Sequence, residues 1–287
     1  MSRRIQIIGL ALLTLLTGVL VLVALTGRRP APVTSAAPAP RPSLSSSSAD
    51  PTLQATPSPS PTTAATPASP PAAALPEGLS GLRALVERDA AGSVLVFGDG
   101  SGDEPDEWVR RWALDYLAGD RPLTYRAWNR DTEKWRRADP DGGPGALTVW
   151  NASRRAPDLA GEPARVVKAS RPADVVLLSY GHRKSANEIG DALTAIHKAV
   201  RRRNPDATVI VLLQNPDPVQ TQYLQQETVE EVRKWARKAD LDTVNIQDAF
   251  LNDPAPRSGL VEADGSPTPT GSALWARTLQ QATNAAR

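Results

Sequence analysis

The 287-residue chain contains no cysteine and only two histidines, and these scarcities close off several chemistries. Without cysteine there is no disulfide, no thiolate nucleophile and no thiolate ligand for a metal. His182 and His197 stand apart, with no carboxylate set spaced around them as ligands, so no metal and no cofactor is expected. No glycine loop of the phosphate-cradling kind is present either. A net charge of +2 is too small to argue for a nucleic-acid partner.

Charge is missing from one long run. Ile5 to Thr26 is Leu-, Val-, Ile- and Ala-rich and bears none, between Arg3-Arg4 and Arg28-Arg29. A helix over it spans roughly 33 Å at about 1.5 Å per residue, enough for a hydrocarbon core of about 30 Å. A cleaved signal peptide has a shorter apolar core and a small-x-small site directly after it, which this run lacks. Residues 1–29 are therefore read as a transmembrane signal anchor, with a cleaved leader as the alternative. Basic pairs on both sides leave orientation open. Residues 30–77 help there: they are nearly all Pro, Ala, Ser and Thr, as in Pro57-Ser58-Pro59-Ser60-Pro61. Such a segment buries too little apolar area to offset its ordering entropy. It is read as a disordered linker, typical of exported stalks, and it places the rest of the chain outside the cytoplasm. Arg outnumbering Lys, with abundant Ala, suggests a GC-rich bacterial genome.

Residues 78–287 read as one α/β domain. Ser93–Phe97, Leu123–Ala127, Ala146–Trp150, Val175–Leu178, Thr208–Leu213 and a weaker Thr243–Ile246 are near-continuous apolar runs, which suit strands buried on both faces of a parallel sheet. Between them lie stripes at helical spacing: Val109, Trp112, Ala113, Tyr116 and Leu117; Ile189, Leu193, Ile196 and Val200; Val229, Val232, Trp235 and Ala236; and Ala273 to Leu279. This alternation predicts a three-layer, doubly wound domain with a five-stranded parallel sheet in flavodoxin-like order. Ligands of such sheets bind beyond the carboxyl ends of the strands.

Four segments occupy those ends: Gly98-Asp99-Gly100-Ser101-Gly102-Asp103, Trp150-Asn151-Ala152-Ser153, Ser179-Tyr180-Gly181-His182-Arg183-Lys184, and Asp264-Gly265-Ser266-Pro267-Thr268-Pro269-Thr270-Gly271 before the last helix. Their order resembles the SGNH (GDSL-type) hydrolase family over most of Ser93 to Arg287. The resemblance implies ester hydrolysis: a Gly-Asp-Ser with its nucleophile after the first strand, a Gly-x-Asn supplying an oxyanion donor, and an Asp-x-x-His supplying the base. The Trp in the first helix and the Pro-Thr-x-x-Gly lead into the last one match too.

The departures fall on the positions that would do the chemistry. Gly100 stands where the nucleophile belongs, Arg183 where the oxyanion Asn belongs, and Ser266 where the His belongs. Nucleophile, base and oxyanion donors act as a unit, so losing them removes most of the rate. Ser101, His182 and Asp264 are the fallback catalytic candidates. Ser101 and Asp103 have a plainer use, satisfying amides at the start of a helix near Pro105. His197 borders an apolar stripe and is read as structural. Asp99, Asn151, Gly181, His182, Arg154, Arg155 and Lys184 are expected to line a ligand cleft, and Arg154, Arg155, Arg183 and Lys184 to form an anion-binding patch.

The expectation is a membrane-tethered, extracytoplasmic domain of hydrolase type, catalytically impaired, that binds an envelope carbohydrate or acylated polymer. An active esterase or deacetylase with an unorthodox site, and an envelope scaffold, are the alternatives.

Overall fold

The computed structural model describes residues 77–88, 90–119 and 121–285. The apolar run Ile5–Thr26 and the proline-rich segment lie outside the described residues; among those described, no helix is long and apolar enough to cross a membrane.

From the N-terminal side the elements are α1 (Glu77–Glu87), β1 (Gly92–Gly98), α2 (Trp108–Arg111), β2 (Leu123–Asn129), β3 (Lys134–Trp135), β4 (Leu147–Asn151), α3 (Glu162–Ala169), β5 (Val175–Ser179), α4 (Ala186–Arg203), β6 (Thr208–Leu213), α5 (Gln222–Lys238), β7 (Asp242–Asn245), α6 (Ile246–Asn252), α7 (Arg257–Leu260) and α8 (Pro269–Asn284). One sheet in the order β3-β2-β4-β1-β5-β6-β7 runs through them. All neighbours pair in parallel except the two-residue β3, which pairs antiparallel with β2.

The layers follow from alternation along the strands. Val94 and Val96 point into one core with Leu82 of α1, Trp108 of α2, Phe250 of α6 and Trp275 of α8. Leu95 and Phe97 point into the other with Val166 of α3, Ile189 and Leu193 of α4 and Val229 and Val232 of α5. Every strand of the parallel core is thus covered on both faces, which is why the apolar runs are continuous. The tryptophan of the first helix has a packing role: Trp108 stacks on Trp275, ring centroids 5.1 Å apart and 4° from parallel.

The fold class is the expected one, and three details differ. The sheet has seven strands rather than five. The expected order is kept by β4-β1-β5-β6-β7, but β2 adds outside β4 and turns back through β3, a pairing decided by contacts distant in sequence. The stripe ending at Tyr116 and Leu117 does not stay α-helical: Trp112–Leu117 is a π-helical stretch, closed by the Ala118 amide donating to Ala113 O at 2.9 Å. Its wider turn leaves Tyr116 exposed while Leu117 stays buried. Ile246 does not end a strand but opens α6, because the Asn245 side chain accepts from the Asp248 amide and caps it.

Candidate functional site

The chain order reverses direction at β1, between β4 and β5, so the carboxyl end of β1 is the switch point of the sheet. Asp99 fastens it. Its amide donates to Ser179 O (3.0 Å), and its Oδ2 accepts from the Gly181 and His182 amides at 3.1 and 3.0 Å. Gly181 has φ +148°, a value that suits the residue without a Cβ. The His182 ring faces the Asp99 carboxylate, with Nδ1 3.7 Å from Oδ1, while Nε2 lies 2.9 Å from Asn215 O. A nitrogen that close to a carbonyl oxygen carries the proton and donates it.

Next to this, Asp99, Gly100, Arg155, His182, Arg183, Lys184, Asp264 and Ser266 line a cavity of about 110 Å³. Loops from three strand ends and the α8 lead-in therefore meet, and Gly100, Arg183 and Ser266 share one small space. Arg155 fills much of the room between them. Its guanidinium pairs with Asp264 Oδ2 at 2.9 Å and donates to Ser266 Oγ at 3.1 Å, and Ser266 Oγ in turn donates to Gly100 O at 3.4 Å. A Cβ on Gly100 would sit 3.0 Å from Arg155 Cα, so a side chain there would press on the backbone of the facing loop. Arg183 adopts left-handed backbone (φ 55°), places its Nε 3.4 Å from Asp217 Oδ2 and donates from its guanidinium to Asp264 O. The Ser266 amide, with Arg155 and Arg183 near by, holds the Asp264 carboxyl below its usual range.

The four cations expected to form one patch do not. Arg154 turns away to pair with the fully buried Glu162 at 2.9 Å. Glu162 is also held by Arg165 and accepts from the Tyr180 hydroxyl at 2.8 Å, while Arg165 donates to Ala152 O at 2.5 Å, locking the loop after β4 from behind. Lys184 donates to Pro157 O at 3.0 Å. With Arg155 and Arg183 also matched to acids, the cleft is close to internally neutral. Asp217 and Asp264 come from distant parts of the sequence, and Glu162 reaches Arg154 only because α3 folds back on the loop after β4, which is why the pairing was not legible there.

Other expected positions are also relocated. Asn151 is buried, its amide donating to Gly102 O (2.6 Å) and the Tyr125 hydroxyl (3.0 Å), so it braces two strand ends and stays out of the cleft. Ser101 and Asp103 do not cap the helix. The helix starts at Trp108, Asp103 Oδ2 instead accepts from the Arg155 amide at 2.8 Å, and the Ser101 hydroxyl is buried with no hydrogen-bond partner among the described residues. No base therefore holds its proton. His197 accepts from Arg201 Nε at 3.1 Å and meets Trp235 edge-on, far from the strand ends.

Two features escaped the sequence reading. Glu107, in what reads as an exposed acidic run, is buried, with Oε2 accepting from the Glu104 amide at 2.8 Å; burial foremost, with Asp103 and Glu104 adding like charge, pushes its pKa to about 8. The second is a separate cavity beside β2, lined by Arg110, Arg130, Arg136 and Arg137 among others. Its one sequence signal is the interleaving of Trp128 and Trp135 with arginines between Arg126 and Arg137.

No protein-family model and no curated protein matches the chain in sequence. Solved structures do match in three dimensions. A peptidoglycan O-acetylesterase aligns over 73% of this chain and 95% of its own, with a TM-score of 0.52 at 13% identity. LAE5, an α/β hydrolase enzyme from the metagenome of Lake Arreo, Spain, aligns over 71% and 99%, with a TM-score of 0.50 at 14% identity. A member of the lipolytic G-D-S-L family from Veillonella parvula aligns over 66% and 96%, with a TM-score of 0.45 at 12% identity. Taken with the strand-end loops that meet around β1, the first two of these alignments show that the chain has the fold of the SGNH (GDSL-type) hydrolases.

Proposed function

We propose that the chain is a membrane-tethered, extracytoplasmic domain of SGNH-hydrolase fold that binds an envelope carbohydrate or acylated polymer without hydrolysing it. The observation that carries this reading is the Arg155 side chain, which takes up the space before Gly100 and is tied to Asp264 and Ser266. A hydrolase of this fold needs that space for a nucleophile and an acyl group. Here there is no hydroxyl at Gly100, a cation instead of an amide at Arg183, and a serine instead of an imidazole at Ser266. The only nearby imidazole, His182, is engaged by Asn215 O. The envelope as target is supported by the apolar run and linker that precede the domain, and by the peptidoglycan O-acetylesterase that shares its fold.

The test is hydrolysis of 4-nitrophenyl acetate by the full-length chain, beside Ser101→Ala and His182→Ala. The expected result is release no faster than the spontaneous rate for all three. Turnover above background that vanishes in either variant would overturn the reading in favour of an active esterase built on Ser101 and His182.

A further inference from the structure

The two strands beyond the expected five, β2 and β3, build a second cavity on the strand-end face. After β2 the chain turns and comes back beside it, with the Arg136 amide donating to Ala127 O and the Asp139 amide to Tyr125 O, both at 2.9 Å. Between this ribbon, the loop after β1 and Ser153-Arg154 lies a cavity of about 320 Å³. That is the low end of the range for small-molecule sites, about the room one sugar unit needs.

Its lining makes three separate demands on a ligand. The first is charge. Arg110 and Arg130 have only loose partners, Asp139 at 3.6 Å and Asp131 at 3.7 Å, whose side chains are 86% and 83% exposed. Such exposed pairs hold their cations weakly. Arg136 and Arg137 pair with no carboxylate among the described residues. The second demand is for a hydrogen-bond donor. Asp103 gives one oxygen to the Arg155 amide, but its Oδ1 is buried without a partner, as is the Ser153 hydroxyl. A buried acceptor left unmet is costly, and a ligand hydroxyl would relieve it. The third is an apolar face, offered by Tyr125, Ala127 and Trp128.

We propose that this cavity binds a sugar unit carrying an oxyanion, a phosphate or a carboxylate, as part of the polymer recognised by the domain. The anion meets the forked guanidinium donors of Arg136 and Arg137. The sugar hydroxyls meet Asp103 Oδ1 and Ser153, and the ring lies against Tyr125 and Trp128. A bare anion would leave Asp103 unmet and set like charge against it; a neutral sugar would leave the arginines idle. The cleft at Gly100 offers no comparable place, because its arginines are already paired with acids and Lys184 is held by Pro157 O.

The inference rests on the reading of the chain as a carbohydrate-binding domain and is tested apart from hydrolysis. Calorimetric titration of the full-length chain, in a mild non-ionic detergent, would use glucose 6-phosphate, galacturonic acid, glucose and inorganic phosphate. One or both anionic sugars should bind, more weakly at high salt, and glucose should not. The exposed double variant Arg136→Ser/Arg137→Ser should lose roughly tenfold or more in affinity, the size of a charge-assisted contact removed. Asp103→Asn should weaken the sugars while leaving inorganic phosphate unchanged. An unaltered melting midpoint in the double variant shows that it folds. Equal binding by wild type and double variant, binding of glucose equal to that of both anionic sugars, or no binding of either anionic sugar would overturn the proposal. So would a single-stranded oligonucleotide outcompeting the sugars. Each of these leaves the non-hydrolytic reading standing, whereas ester turnover by the wild type removes that reading whatever the titration gives.

Discussion

At the scale of single residues, Glu107 ties burial to a measurable pH dependence. Its carboxyl sits under the loop after β1, in reach of Asp103, Glu104 and Arg155, and burial raises its pKa from 4.5 to about 8. Between those two values the folded chain holds a proton that the unfolded chain has released. The unfolded state then binds fewer protons, so stability falls as pH rises through the window and levels off on either side. Glu107→Gln keeps an oxygen for the Glu104 amide and removes the titration. Thermal midpoints measured across the window should therefore fall more steeply with pH for the wild type than for the variant, and the variant should be the more stable of the two above the window. Identical slopes would show that Glu107 titrates as an ordinary exposed carboxylate. Nothing in Asp103-Glu104-Pro105-Asp106-Glu107 announces this, because the residues that desolvate Glu107 come from elsewhere in the fold.

At the scale of elements, the lead into α8 shows what a short motif can encode. The Thr268 hydroxyl accepts from the Gly271 amide at 3.0 Å and donates to Gly259 O at 2.7 Å, so it caps α8 and clips it to α7. Pro269 stands in the first turn of the helix, where its missing N–H costs nothing. A Cβ on Gly271 would lie 1.9 Å from Leu260 O, so glycine is required there for close approach. Pro-Thr-x-x-Gly is thus a device for seating α8 beside the strand ends. Thr268→Ala should destabilise the domain by about 1–2 kcal/mol, the usual worth of an N-cap, while Thr268→Ser should keep most of the midpoint. Equal midpoints for Thr268→Ala and wild type would deny the cap its role. The motif was legible because its parts are neighbours in sequence. The position of β2 was not: its apolar run marked a strand, but nothing local says that it pairs outside β4, and the two residues of β3 are too few to show a pattern.

At the scale of the whole molecule, the order of strand-end segments carried the fold, because each begins where an apolar run stops and a parallel sheet brings those stops to one edge. The charge of the cleft was not carried, since Asp217 and Asp264 neutralise its arginines from across the chain. The proposed tether to the envelope rests on the residues before the domain. The proposed anchor, Ile5–Thr26, has an apolar length that matches a bilayer core, and its removal should free the domain without altering it. The full-length chain should fractionate with membranes, stay there through a high-salt or alkaline wash, and be released by detergent. A chain beginning at residue 30 and directed to the same compartment by an unrelated cleavable leader should be soluble and melt at the same midpoint, because α1 through α8 supply both cores. Insertion of an uncharged run this long contributes far more than surface attraction to lipid headgroups, so salt alone should not extract it. Release of the full-length chain by salt would mean a peripheral attachment, and a soluble product shortened past Thr26 would mean a cleaved leader, leaving the linker to reach the envelope unaided.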